Sequence, residues 1–152
     1  MTDPGCMARE IRRIVLEQSK RANVGHIGSS LSIADILAAL YGGAMAISDP
    51  GDPERDRFIL SKGHAALALY AALHLRGWIG AEALRTYCGD DSELGVHPEH
   101  RLRGVDVSTG SLGQGLSVGA GAALAARLVR TRSRRRRRPP GPAAGAGPAR
   151  CG

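Results

Sequence analysis

The chain's 152 residues predict an α/β fold, mostly helical, with one or two short strands. Three observations carry that expectation. Segments with helical apolar spacing alternate with two short apolar runs of strand type, glycine-rich turns stand where a strand would feed a helix, and no segment repeats another. The resulting order is helix, loop, helix, strand, helix, irregular loop, strand, glycine turn, helix. Such alternation is the pattern of helices laid on a mainly parallel sheet.

The elements follow in chain order. Met7, Ile11, Ile14, Val15 and Ala22 fall on helical spacing between arginines and glutamates, which predicts an amphipathic helix over 7–22. The stretch "NVGHIGSS" ends it with turn formers. Ser32, with Asp35 three residues later, resembles a capping box in which Asp replaces the usual Glu, and the helix it would start runs "IADILAALY" to Gly42 and Gly43. "SDPGDPERD" reads as a turn-rich linker. "RFIL" (57–60) is the first strand-like run and leads through "SKGH" into the helix "AALALYAALHLR", which Gly77 stops. "AEALRTYC" is a further short helix, residues 89–104 have no periodicity, "GVDVSTGS" is the second strand-like piece, and Gly113 opens a last helix that continues to Leu128.

Charge divides the chain more sharply than periodicity does. Lys and Arg number 21 against 14 Asp and Glu, a net +7. Nine of the basic residues are arginines from position 127 onward, where no acid occurs, so residues 1–126 hold 21 − 9 = 12 bases against 14 acids, a net −2. The basic character belongs to the end of the chain alone. We therefore expect a body over 1–128 and a disordered Arg, Pro, Gly and Ala-rich tail over 129–152, whose like charges and prolines oppose order. The three cysteines, Cys6, Cys88 and Cys151, are odd in number and widely spaced, which suggests neither a zinc knuckle nor a disulfide framework and points to a reducing cytoplasm. The start "MTDPGCMAREIRR" is too polar for a secretory signal, and "AALALYAAL" is far shorter than a bilayer span, so no membrane association is expected.

Five stretches hold candidate chemistry. "GHIGSS" sets His26 among glycines in a loop, where it is either a ligand group or a solvated turn residue. "SKGHA" sets His64 between a strand end and a helix start, as an anion contact or as a cap. "GVHPEH" carries His97 and His100 in the long irregular loop, the kind of segment on which functional residues concentrate. "STGSLGQGLSVGAG" has the glycines for close backbone approach. It is neither a dinucleotide fingerprint, because Val118 stands where a third glycine is needed, nor a P-loop, because no Gly-Lys-Ser/Thr follows. The arginine run is the fifth; it suits phosphate backbones but lacks aromatic interleaving. Three histidines on separate loops beside a glycine-rich helix start suit an anionic, oxygen-rich ligand at the carboxyl ends of parallel strands.

In this order the stretches "KRANVGHIGSSLSIADILAALY", "DRFILSKGHAALALYAAL", "GVHPE" and "GVDVSTGSLGQGLSVGAGAALAARL" resemble the N-terminal region of transketolase, over nearly all of residues 8–128. The lysine of "SKGHA" and the serine of "STGSLGQG" resemble the split bacterial and archaeal form, in which this half is a separate subunit. The resemblance implies an incomplete thiamine-diphosphate-binding fold and transfer of a two-carbon ketol unit between sugar phosphates in the pentose phosphate pathway. By position, it implies that His26 contacts the donor substrate and cofactor region, that His97 hydrogen-bonds sugar hydroxyls, and that His64 reaches the diphosphate. It further implies that Gly110, Ser111 and Leu112 line the cofactor, with the Gly110 carbonyl near the aminopyrimidine. Deoxyxylulose-phosphate synthase shares related glycine-histidine motifs, although "SKGHAALALYAAL" and "STGSLGQG" favour transketolase.

The family's next features do not follow Leu128. A hydrophobic strand with Gly-Asp-Gly, and an asparagine that completes a magnesium site, are absent from the sequence, so no metal ligand is assigned on this chain. The pyrimidine-binding part with its activating glutamate is expected on a C-terminal subunit or domain, within a dimeric assembly. Arg, Pro, Ala and Gly are what GC-rich codons yield out of frame. The tail is accordingly expected to be translation past a frameshift, and the body an inactive fragment when alone, with apolar helix faces such as "ALALYAALHL" left partly uncovered. The alternative is a non-catalytic remnant whose basic tail binds nucleic acid or acidic surfaces.

Overall fold

The computed structural model describes residues 3–136, with side chains described as far as Val129. Contacts divide the chain between Val118 and Gly119, and the first unit holds every element but the greater part of the last helix.

The first helix, α1 (Pro4–Ala22), begins earlier than its apolar spacing indicates. Asp3 caps it, its Oδ2 accepting the Cys6 N–H at 2.9 Å, and Pro4 occupies a first-turn position where a missing N–H costs nothing. Asn23, in the left-handed region at φ 53°, ends it. Met7, Ala8, Ile11, Ile14, Val15 and Ser19 form its buried face, while Arg13 on the other side bridges Glu10 and Glu17.

Two short helices follow, α2 (Ile27–Leu31) and α3 (Ala34–Ala39), and then a wide turn over Leu40–Ala44. The expected capping box is not formed. The residue before α3 is Ile33, without a side-chain cap; the Ser32 hydroxyl donates back to the Ser29 carbonyl, and Asp35 is drawn off by Arg12 at 2.5 Å. On length and composition alone, Ile27–Ala44 is apolar enough to cross a membrane, with mean hydropathy 1.3. It is broken at Ser32 and Ile33 rather than continuous, and Ser30, Ala34, Leu37, Ala38 and Tyr41 point into the protein core.

The centre of the unit is α4 (Ala66–Leu75), led in by a 3-10 turn over Gly63–Ala65. Every residue from Ala66 to Leu73 is buried, so this helix is apolar on all sides, as a core helix must be. It packs on α1, α2 and α3, which corrects the expectation that "ALALYAALHL" is partly uncovered for Ala66 to Leu73 and leaves Leu75, at its end, exposed. The most exposed large apolar residues are Leu112, Leu116, Leu124, Leu128 and Val129, near and within the last helix, with Leu16, Ile27, Ile36 and Leu75 exposed to a lesser degree. Gly77, at φ 75°, ends α4 in a Schellman arrangement, its N–H on the His74 carbonyl and that of Trp78 on the Leu73 carbonyl. A short helix, α5 (Ala81–Arg85), and an irregular stretch to Gly104 complete the body.

No strand occurs among the described residues. The two runs expected to be strands, at 57–60 and 104–111, nevertheless lie side by side and advance in the same direction. The Phe58 N–H meets Asp106 Oδ2 at 3.2 Å, and further on the Thr109 hydroxyl donates to the Leu60 carbonyl at 2.6 Å. The Phe58 N–H and the Leu60 carbonyl, which a ladder could use, are thus taken by side chains. Arg55 and Asp106 anchor its start as a two-pronged ion pair, at 2.7 and 3.1 Å, with side chains only 6% and 9% exposed. Arg57 adds a third bond at 3.0 Å, and Arg55 places two further donors on the Pro50 and Asp56 carbonyls.

The last helix, α6 (Gln114–Arg136), runs past the boundary expected at Leu128. Arginine is a good helix former, and here it continues the helix despite its like charges. The rest of the tail expected to be disordered, residues 137–152, lies outside the described residues.

Burial pushes the Asp106 carboxyl up, but the guanidiniums of Arg55 and Arg57 and the Phe58 N–H outweigh it and hold the group below its ordinary 3.8. A depressed carboxyl stabilises the folded state above its unfolded value, and that contribution disappears as pH falls through the folded value. Asp106→Ala, which leaves Arg55 buried and unpaired, is expected to destabilise the chain by about 3 kcal/mol in urea unfolding at pH 7. Its deficit relative to the native chain should shrink below pH 3.8. A deficit that is small, or that does not change with acid, would remove this ion pair from the account.

Candidate functional site

The histidines foreseen on separate loops meet. His26 precedes α2 in the left-handed region at φ 64°, and His64 sits in the 3-10 turn that leads into α4. Their ring centroids are 5.0 Å apart, with planes inclined at 45°. Lys62 ties the two loops together. Its Nζ donates to the Ser29 carbonyl at 2.9 Å and to Ser32 Oγ at 2.7 Å, both on the segment that His26 begins.

One residue further, Gly63 lies flat against the Thr109–Gly110 peptide. A Cβ at Gly63 would stand 2.2 Å from the Thr109 carbonyl oxygen and 3.0 Å from the Gly110 nitrogen, closer than any side chain allows. This contact carries the Gly110 backbone to the foot of the His64 turn. Gly110 in turn faces His97, whose ring carbons would lie 3.7 and 3.9 Å from a Cβ placed there. His97 is fixed through its backbone, where its carbonyl accepts the Tyr70 hydroxyl of α4 at 2.9 Å. Burial, and then Tyr87 and Cys88, push the Tyr70 phenol above its ordinary value, so it remains a donor through the neutral range. The neighbouring Pro98 is buried, and its carbonyl accepts the Thr109 N–H at 3.4 Å.

The result is a wall on which His26, His64, Gly110 and His97 follow one another across three loops. His26 and His97 are exposed and His64 half-buried, so all three rings are open to a ligand. Ser111 and Leu112 continue from Gly110 at the exposed edge, Leu112 with 72% of its surface free. His100 is engaged within its own loop, its N–H and Nδ1 both on Ser108 Oγ. His97 also borders a cavity of about 530 Å³, with Asp91, Glu93, Val96, Glu99 and Arg101 among its walls. Among the described residues, no three His, Cys, Asp or Glu side chains come together as metal ligands.

Sequence reasoning missed four supporting residues. Asp106 was visible as a lone acid in the apolar run "GVDVS", an arrangement that demands a buried partner, and "ERDR" offered two. Tyr70 was visible as the one hydroxyl-bearing side chain in a helix whose other polar residue is His74, and a buried hydroxyl needs an acceptor. Thr109 and the bridging role of Lys62 left no signal, because both act across loops far apart in the chain.

A family model described as "Transketolase, thiamine diphosphate binding domain" matches residues 5–139. The chain is 50% identical over 113 residues to a 6-deoxy-6-sulfo-D-fructose transketolase subunit of a Clostridium species, covering 72% of this chain and 41% of that protein. It is 42% identical over 110 residues to an apulose-4-phosphate transketolase subunit of Phocaeicola vulgatus, covering 71% of this chain and 39% of the relative. Among solved structures, transketolase from Pichia stipitis in complex with sedoheptulose 7-phosphate superposes with a TM-score of 0.74 at 36% identity, over 80% of this chain and 18% of that one. The chain therefore spans about two fifths of these subunits and under one fifth of the full-length enzyme.

The close approach at Gly63 gives a direct test. Gly63→Ala is expected to destabilise the fold by about 1–3 kcal/mol, since backbone rather than a flexible side chain must move. It should also displace the His64 ring from that of His26, seen as loss of ring-to-ring cross-peaks in a nuclear Overhauser spectrum. Gly28→Ala, which meets no atom within 4 Å, serves as the silent control.

Proposed function

The chain belongs to the transketolase family, in its thiamine-diphosphate-binding domain, and we propose that it forms one wall of that cofactor's site in an enzyme that moves a two-carbon ketol unit between sugar phosphates. The observation that carries this reading is the meeting of His26, His64, His97 and the Gly110 backbone on one wall.

The residues present fit the group. Gly110 has no side chain, so its peptide offers a flat polar edge, as an aminopyrimidine ring requires. His64 beside Lys62 offers donors suited to phosphate oxygens. In this reading His64 holds the diphosphate end and the Gly110 carbonyl accepts from the ring amine, while Ser111 and Leu112 close the edge of the site. His26 and His97 bind and orient hydroxyls of the sugar. Neutral imidazoles can both donate to and accept from hydroxyl groups, so they position a sugar without adding charge. When bound, the cofactor supplies the nucleophilic carbon that ketol transfer requires.

The rest of the site is to be supplied from elsewhere. A diphosphate bound in this family carries magnesium, and we propose that its ligands, with the acid that activates the cofactor, lie outside this wall. The split relatives, which are named as transketolase subunits, support a second polypeptide as the source. Free thiols at Cys6 and Cys88 support a reducing, cytoplasmic setting.

Calorimetry with thiamine diphosphate and magnesium tests the proposal. The 152-residue chain alone is expected to show no micromolar binding and no ketol transfer. Joined to a relative's Gly-Asp-Gly segment and mixed with a C-terminal transketolase subunit, it should bind the cofactor, and His64→Ala should weaken that binding by about tenfold or more. Turnover by the chain alone would overturn the division of labour, and no binding in the completed assembly would overturn the cofactor reading.

A further inference from the structure

Tyr41 is only 2% exposed, yet its hydroxyl makes no hydrogen bond to any described residue. A buried phenol ordinarily finds a partner. Burial, and then the Asp106 carboxylate, push this one above its ordinary value against the opposing pull of Arg55, so it stays protonated and able to donate. Among the described residues, every side-chain polar atom shut off from solvent has a partner. The Tyr41 hydroxyl therefore keeps an opening, and the residue borders a cavity of about 220 Å³ between the start of α1 and the end of α4.

The other walls of this cavity carry one charge of each sign. Arg76, just past α4, donates from Nη2 to the Ile47 carbonyl at 2.6 Å and has no carboxylate partner among the described residues. Glu10 of α1 takes both bonds from Arg13 on Oε2, which leaves its Oε1 without a donor, and Arg13 also serves Glu17. Two carboxylates thus share one guanidinium, and negative charge remains at this wall. Met7 and Leu75 supply apolar surface.

From this we propose that the cavity binds a small α-amino acid with an apolar side chain, in its zwitterionic form. Its carboxylate would lie on Arg76 and the Tyr41 hydroxyl, its ammonium on Glu10 Oε1, and its side chain against Met7 and Leu75. A few convergent polar groups in apolar walls are what a small-molecule site requires. A sugar phosphate suits it poorly, because Glu10 would repel the anion and find no ammonium in return. The cavity stands at the opposite end of α4 from His64, about 15 Å along the helix axis, and the proposal does not draw on the cofactor reading.

The test titrates L-leucine into the 152-residue chain and follows the methyl signals of Met7 and Leu75 in a carbon–proton correlation spectrum. Those signals are expected to shift saturably. Two relatives of leucine divide the contacts: 4-methylpentanoate lacks only the ammonium, and 3-methylbutylamine lacks only the carboxylate. Each should bind about tenfold more weakly than leucine. Tyr41→Phe separates binding from folding. Because the hydroxyl has no partner in the fold, its loss should leave the urea midpoint unchanged while weakening leucine binding by about tenfold, the value of one hydrogen bond to a charged group. Glu10→Gln should bring leucine down to the affinity of 4-methylpentanoate. The inference is overturned by the absence of a saturable shift, by equal binding of leucine and 4-methylpentanoate, or by unchanged leucine affinity in Tyr41→Phe. A lowered urea midpoint in Tyr41→Phe overturns it as well, since the hydroxyl would then hold the fold rather than a ligand. So does a response confined to the His64 ring, or fructose 6-phosphate shifting the same methyls at lower concentration than leucine.

Discussion

The contact between Gly63 and the Thr109–Gly110 peptide governs the arrangement of everything functional in this chain. It is a backbone-on-backbone approach that no side chain at position 63 tolerates, since even a methyl carbon would stand 2.2 Å from a carbonyl oxygen. Glycine there is a steric requirement, more than a matter of turn flexibility. On one side of the contact His64 follows directly, and behind it comes the buried helix α4. On the other side Gly110 follows, and beyond it the last helix begins. Two segments more than forty residues apart become a single platform at this point.

The platform is held rigid from both ends by different physics. At its start the Arg55–Asp106 pair is a buried charge interaction in which the carboxylate's bonds all go to donors within the same two segments. Halfway along, the Thr109 hydroxyl and the Leu60 carbonyl form a neutral bond in a buried setting. Underneath, α4 supplies mass and a polar handle: Tyr70 reaches out of a mainly apolar helix to hold His97 by its carbonyl. Preorganisation of this kind places binding groups before a ligand arrives, which lowers the ordering cost of binding.

How much of this was legible in the sequence depends on the range of the interaction. Local physics was readable. Apolar spacing located α1 and α4, Gly77 marked the end of α4, and the absence of periodicity marked the irregular loop. Asp3 and Pro4 were equally local signals, and they place the start of α1 ahead of its first apolar residue. Competing partners were not readable. Asp35 looked like a cap for α3 but pairs with Arg12, a residue 23 positions earlier. The strand-like runs looked like sheet, yet their backbone groups are claimed by Asp106 and Thr109. Helix faces were misjudged for a related reason: α4 looked liable to partial exposure because the strands expected to cover it do not follow Leu128, whereas α1, α2 and α3 surround it. For the site, spacing placed three histidines on loops, and the order of motifs matched a family; their proximity came only with the structure.

The central claim is that three loops meet on one wall before any ligand is present. A nuclear Overhauser experiment on the ligand-free chain, with histidine and glycine selectively labelled, tests it most directly. The account predicts cross-peaks from the Gly110 α-protons to the His97 ring and from the His26 ring to that of His64. It also predicts that both sets vanish together on unfolding. A cooperatively folded chain that lacks the Gly110–His97 peaks, or shows them only after thiamine diphosphate is added, would contradict it.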